Sequence, residues 1–184
     1  MLRTEPRPLT VHDYGELPEG PPYHQLIEGD LEMSPSPNRF HQEIVRNIAY
    51  ILLDFLQRNP VGKLYFAPFD VYLTDLNVFQ PDLVFISNAR KSILSAQGAD
   101  GAPDLVVEIL SPETARLDKG VKKEIYARTG VTELWIVDPE LRQLQVYHLQ
   151  KSADLPVASY SGKQRFASAM FPGLKLQIGK IFQS

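Results

Sequence analysis

Two acids in this chain are conspicuous for their surroundings. Asp82 follows Pro81 at the start of the apolar run Leu83 to Ile86, and Glu108 lies inside Asp104-Leu105-Val106-Val107-Glu108-Ile109-Leu110, which is nearly continuously apolar between its acids. A carboxylate in such a strand is costly unless a metal, a base or hydrogen-bond donors compensate it. If the two strands are neighbours, both acids point into one cleft and offer hard oxygen ligands to Mg²⁺ or Mn²⁺, with the Ile109 backbone carbonyl as a third ligand. The same spacing also fits a plainer arrangement, in which Glu108 and Asp104 flank the exposed end of a strand and Asp82 is a turn acid beside proline.

Asp118, Lys122 and Tyr126 recur every four residues downstream of Glu108, which predicts one shared helix face. An ammonium aimed at the cleft could orient an attacking water or offset charge developing on a phosphoryl oxygen. An ordinary surface Asp/Lys pair beside a half-buried tyrosine would have the same spacing. Of the four histidines, His24 and His41 are placed to reach a pocket, and His12 and His148 read as surface residues. Gln25 and Glu28, in a predicted hairpin, are candidates for outer contacts, and Asp70, between Phe69 and Val71, is a further candidate for the cleft that holds Asp82.

Composition removes several alternatives. Cysteine is absent, so disulfides, thiolate metal sites and cysteine nucleophiles are excluded. No histidine pair has the HExxH spacing, and there is no phosphate-binding P-loop, strand-linked GxGxxG or GxSxG elbow. A net charge of −3, from 19 basic and 22 acidic residues, leaves nucleic-acid contact to a local patch. Arg116, Lys119, Lys122, Lys123 and Arg128 are the candidates for that patch, and a solvated helix face would cluster them equally well. No run of about 18 apolar residues suggests a membrane span, and the opening residues lack a secretory signal, so a cytoplasmic location is expected.

The elements that must position these residues follow from pattern. Residues 1–22 read as an N-terminal arm with a short helix capped by Thr10, and residues 23–184 as one domain. Tyr23 to Met33 predicts a hairpin, and Asn38 caps a helix to about Arg58 whose apolar residues recur at helical spacing. Leu64 to Leu73 and Leu83 to Ile86 read as strands, Asp104 to Leu110 as a central strand, and Ser111 to Thr129 as one helix closed by Gly130. Strands follow at Val131 to Val137, around Leu144 to Leu149, and in short pieces to Ile178. Together they predict an α/β fold, a mixed β-sheet flanked by helices, built around one βαβ unit.

The set Pro81-Asp82, Asp104 to Pro112, Asp118-Lys119-Gly120, Lys122, Tyr126, Gly130-Val131 and Glu133 to Pro139, with Gln25 to Gly29, Met33 to Pro35 and His41-Gln42 upstream, resembles the Uma2 family, also called DUF820, of the PD-(D/E)XK nuclease superfamily. The resemblance covers roughly residues 10 to 178. It implies a restriction-endonuclease-like fold and metal-dependent hydrolysis of DNA by a homodimer. It further implies that Asp82 and Glu108 hold the metal and that Lys122 is the functional lysine. The general superfamily pattern has a lysine two residues beyond the acid, where this chain has Leu110, and Uma2-like members commonly carry it on the next helix. Gln25 replaces a glutamate that many relatives have, and His41 matches a recurrent histidine. A nuclease-fold module that binds DNA or a protein without useful catalysis, and a small-molecule hydrolase with the same metal logic, are the competing readings.

Overall fold

The computed structural model describes residues 7–183. Helix α1 (Val11–Gly15) opens with a capping box: Thr10 and Asp13 satisfy each other's backbone N–H groups. Next come the hairpin strands β1 (His24–Ile27) and β2 (Asp30–Met33), then helix α2 (Arg39–Arg58), whose N-cap Asn38 accepts from the His41 N–H at 2.9 Å. Strands β3 (Gly62–Phe66), β4 (Asp70–Thr74), β5 (Asn77–Phe79), β6 (Leu83–Ser87), β7 (Gly98–Asp100) and β8 (Leu105–Ile109) follow. Helices α3 (Ala115–Lys119) and α4 (Val121–Thr129) lead to β9 (Glu133–Asp138), β10 (Gln143–His148), β11 (Ala158–Ser161), β12 (Arg165–Phe166), β13 (Leu176–Gln177) and the short helix α5 (Ile178–Ile181).

The strands form two main sheets where the sequence predicts one. Six strands run in the order β11-β10-β9-β8-β6-β3, with β8 and β9 parallel and the other pairs antiparallel. Five run in the order β2-β1-β5-β4-β7. The run Leu64 to Leu73, read as one strand, is split at Ala67-Pro68, so that β3 joins the larger sheet and β4 the smaller. Residues 7–22, read as a peripheral arm, dock on the smaller sheet: the N–H of Leu9 reaches the Gly29 carbonyl at 2.9 Å and that of Val11 the Asp75 carbonyl at 2.8 Å. Residues 1–6 of that predicted arm lie outside the described residues.

Strand alternation assigns the faces of β8. Leu105, Val107 and Ile109 pack with Ile44, Ile48 and Leu52 of α2, each such burial contributing about 1.5–3 kcal/mol. Val106 and Leu110 pack on the opposite face with Ile125 and Tyr126 of α4 and with Phe79. Glu108 shares that second face by the same period of two.

The predicted single helix from Ser111 to Thr129 is two helices. A Cβ on Gly120 would lie 2.7 Å from the Arg116 carbonyl oxygen, so the close approach at the break needs a residue without a side chain. Gly130 ends α4 at φ +99°, as its predicted C-cap role requires. Among the described residues no helix is long and apolar enough to cross a membrane.

Candidate active site

The register between β6 and β8 pairs Leu83 with Val107. Asp82, the residue before β6, thereby comes beside Glu108, whose side chain alternation along β8 sends to the face that carries α4. The Ile109 N–H donates to Asp82 Oδ2 at 2.7 Å, which ties the Pro81-Asp82 segment to the end of β8. His41, in the first turn of α2, brings Nε2 to 3.3 Å from the same oxygen. Burial alone would lower the pKa of His41, but the hydrogen bond to and charge of Asp82, together with a hydrogen bond to the Ile109 backbone and the charge of Glu108, outweigh it and the net shift is upward.

On the other side of the cleft, Lys122 Nζ lies 2.6 Å from Glu108 Oε1 and 2.9 Å from Asp118 Oδ1. The Tyr126 hydroxyl donates to Glu108 Oε1 at 2.6 Å. Glu108 is 4% exposed and Lys122 3%, so this is a buried network and not the surface pair that the spacing alone also allows. Burial pushes the Glu108 carboxyl up to about 7, with Asp118 and Asp82 adding to the rise and the Lys122 charge opposing it. Burial also opposes the Lys122 charge, yet Asp118 and Glu108 together hold its pKa above the ordinary lysine value, so it remains an ammonium. Burial and then Glu108 raise Tyr126 well above the usual phenol range, which keeps its proton on the hydroxyl.

A cavity of about 430 Å³ is lined by Asp82, Glu108, Ile109, Lys122, Asp118 and His41. Gln25 also lines it, but its amide is occupied: its carbonyl oxygen accepts from the Gln80 N–H at 3.0 Å and its Nε2 donates to Ser34 Oγ at 3.3 Å. Tyr126 is fully buried behind Glu108 and is not in the cavity wall.

Asp70, grouped with the cleft from its position in the sequence, is not in that wall either. Its carboxylate accepts from the Tyr14 hydroxyl at 3.0 Å and from Gln80 Nε2 at 2.8 Å, because β4 belongs to the smaller sheet. His24 likewise stays out of the lining. Glu28 is paired with Arg128 at the surface.

The predicted basic patch does not form as a unit. Lys122 is buried, Lys119 pairs with Asp138 at 3.4 Å, Arg128 pairs with Glu28, and Lys123 lies 5.0 Å from the Tyr147 ring centre. Sequence reasoning also missed the walls that Tyr23, Gln80, Ser111 and Thr114 supply. Gln80 had one readable signal, its place beside Pro81-Asp82.

The donor set can be tested for a divalent cation. The protein contacts of Asp82 use Oδ2 and those of Glu108 use Oε1. Among the described residues the buried side-chain polar atoms without a partner are His41 Nδ1 and Glu43 Oε2, so the second oxygens of Asp82 and Glu108 are accessible. No group of three or more His, Asp or Glu converges on one point among the described residues. Two carboxylates and a backbone carbonyl, with water and substrate completing the shell, fit Mg²⁺ or Mn²⁺ and not a closed protein cage. One ammonium shared by two buried carboxylates also leaves negative charge for a cation to offset.

The sequence profile of the Uma2 family, described as "Putative restriction endonuclease", matches residues 11–179. No curated protein matches the chain. Among solved structures, one described as a "putative nuclease belonging to DUF820", from Anabaena variabilis, superposes with a TM-score of 0.79. It is 20% identical and the match covers 95% of this chain and 98% of that one, so the likeness is one of fold.

Proposed function

The chain belongs to the Uma2 family, and from that premise we propose that it is a metal-dependent DNA endonuclease that hydrolyses phosphodiester bonds. One observation carries the reading: Asp82, the residue before β6, and Glu108, on the adjacent strand β8, line one cavity, with the Lys122 ammonium in contact with Glu108. Asp82, Glu108 and the Ile109 carbonyl would hold Mg²⁺, with Mn²⁺ as an alternative. Such an ion, when bound, supplies Lewis acidity and lowers the pKa of water.

The chain's own residues do the rest. Lys122 is held charged by Asp118 and offers its protons to an attacking water or to a phosphoryl oxygen that gains charge. Tyr126 fixes the orientation of Glu108 from behind, and His41 with the Ile109 N–H fixes Asp82. Two active sites suit cleavage of both strands, so a homodimer is the expected assembly. The cytoplasm is the expected location.

A second reading, a nuclease-fold module that binds DNA or a protein without turnover, is favoured by the full engagement of Lys122 with two carboxylates. Cleavage of supercoiled, linear and single-stranded DNA in Mg²⁺ and Mn²⁺ separates the two. Loss of metal-dependent cleavage in Asp82→Ala, Glu108→Ala and Lys122→Ala is the expected outcome. An unmodified protein inert toward every substrate in both metals would leave the binding module as the better account.

A further inference from the structure

A second cavity, of about 420 Å³, adjoins the one that holds the acids, and Asn38, His41 and Ser111 line both. Its volume is in the range of small-ligand pockets, about 300–1,000 Å³. The two spaces are therefore neighbours across the start of α2 and the end of β8. A polymer bound in the first has a direct continuation into the second.

The second lining has a different chemistry. Phe40, Leu110, Pro112, Ala115 and Pro139 make it largely apolar. Its acids are Asp138 and Glu140, and its basic groups are already engaged: Lys119 pairs with Asp138, and His41 is turned to Asp82. Neither basic group is left free for a phosphate. An aromatic ring, flat apolar contacts and acceptor oxygens at the edge instead match a nucleobase, which has apolar faces and N–H donors on its rim.

We propose that this second cavity is a nucleobase subsite, which takes the base next to the phosphate held at Asp82 and Glu108. The inference rests on the nuclease reading and adds the form of the substrate to it. A base seated between Phe40 and the prolines is out of the helical stack, so the cleaved strand is read unstacked: single-stranded, or extruded from a duplex. Bases with an amino edge are preferred, because the rim carries the Glu140 carboxylate, while Asp138 is engaged by Lys119 and by the Glu140 and Leu141 N–H groups.

The test compares dAMP with 2-deoxyribose 5-phosphate, titrated into the full chain with Ca²⁺. The expected result is about tenfold tighter binding of dAMP, the scale of one base stacked on an aromatic ring. That advantage should vanish in both Phe40→Ala and Ala115→Leu while the affinity for the sugar phosphate is unchanged. Ala115→Leu fills the cavity without removing a core side chain, so it stands in if Phe40→Ala unfolds. Equal binding of the two compounds, a base advantage that survives both variants, or binding of neither compound would each overturn the subsite.

DNA cleavage is scored separately, with Asp82→Ala as control. Cleavage together with equal affinities defeats the subsite and leaves the nuclease reading intact. Base-dependent binding without cleavage of any DNA defeats hydrolysis and leaves the subsite.

Discussion

Two glutamates are buried on neighbouring parallel strands, and they have opposite surroundings. Glu133, 2% exposed at the start of β9, accepts from Trp135 Nε1 at 2.6 Å and Ser168 Oγ at 3.3 Å, and His148 Nε2 lies 3.1 Å away. These partners include neutral donors, and neither cavity touches Glu133. Glu108, at the other end of the paired strand β8, shares one ammonium with a second buried acid and lies at a cavity wall. A buried carboxylate is therefore not a functional signal by itself. Competing charges and an open side distinguish the site from the structural contact. His148, read as a surface residue, belongs to the structural one: its side chain is 30% exposed and turned to Glu133.

The largest expected effect would test that contrast directly. Glu108→Gln is isosteric and removes the charge, and on the proposed function it lowers metal-dependent cleavage on the order of 10³-fold. Glu133→Gln, equally isosteric, leaves cleavage within a few-fold of the unmodified protein. Equal losses in a plasmid-cleavage assay would dissolve the distinction.

Stability gives the next comparison. Lys122→Met strips from Glu108 and Asp118 the ammonium that they share, and breaking a buried pair in this way costs about 3–5 kcal/mol. Adding Glu108→Gln to Lys122→Met should restore part of the loss in urea unfolding. His148→Gln, which keeps a donor beside Glu133, should cost about 1 kcal/mol or less. A Lys122→Met protein as stable as its parent would show that the network does not hold charge in the way described.

The smallest effect is in the pH dependence. Glu108 titrates near 7 in the folded protein, above its ordinary value of 4.5. The native state thus binds more protons than the unfolded chain between those values, and the Glu108 contribution to stability, full below about 4.5, falls as pH rises through 7. The raised His41 adds in the same direction. Thermal melts without metal should show a downward slope that is shallower in Glu108→Gln and unchanged in Glu133→Gln. A Glu108→Gln slope equal to that of the parent would remove Glu108 as its source.

Much of the frame was legible because its causes are local. Asn38 caps α2, Gly130 closes α4, and period-two alternation along Leu105 to Leu110 puts Glu108 on one face. The split of Leu64 to Leu73 between two sheets was not legible, since strand pattern carries no information about which neighbour a strand will pair with. Neither was the break at Gly120, because a glycine inside a helical pattern is commonly tolerated and the conflict with the Arg116 carbonyl exists only in three dimensions. Asp70 was drawn to the cleft by its place between Phe69 and Val71 and left out of it by the smaller sheet.

The sequence by itself determined which residues could do chemistry: a proline-linked aspartate, a glutamate that an apolar strand cannot hide uncompensated, and a lysine four residues beyond an aspartate. Those facts depend on residue type and near-neighbour spacing. Tertiary structure alone decided that Lys122 is buried and not solvated, that Glu108 opens on a cavity where Glu133 does not, and that His41 stands between two adjoining spaces. Burial and charge sharing are properties of contacts between distant segments, here α2, β6, β8 and α4, and no local pattern contains them.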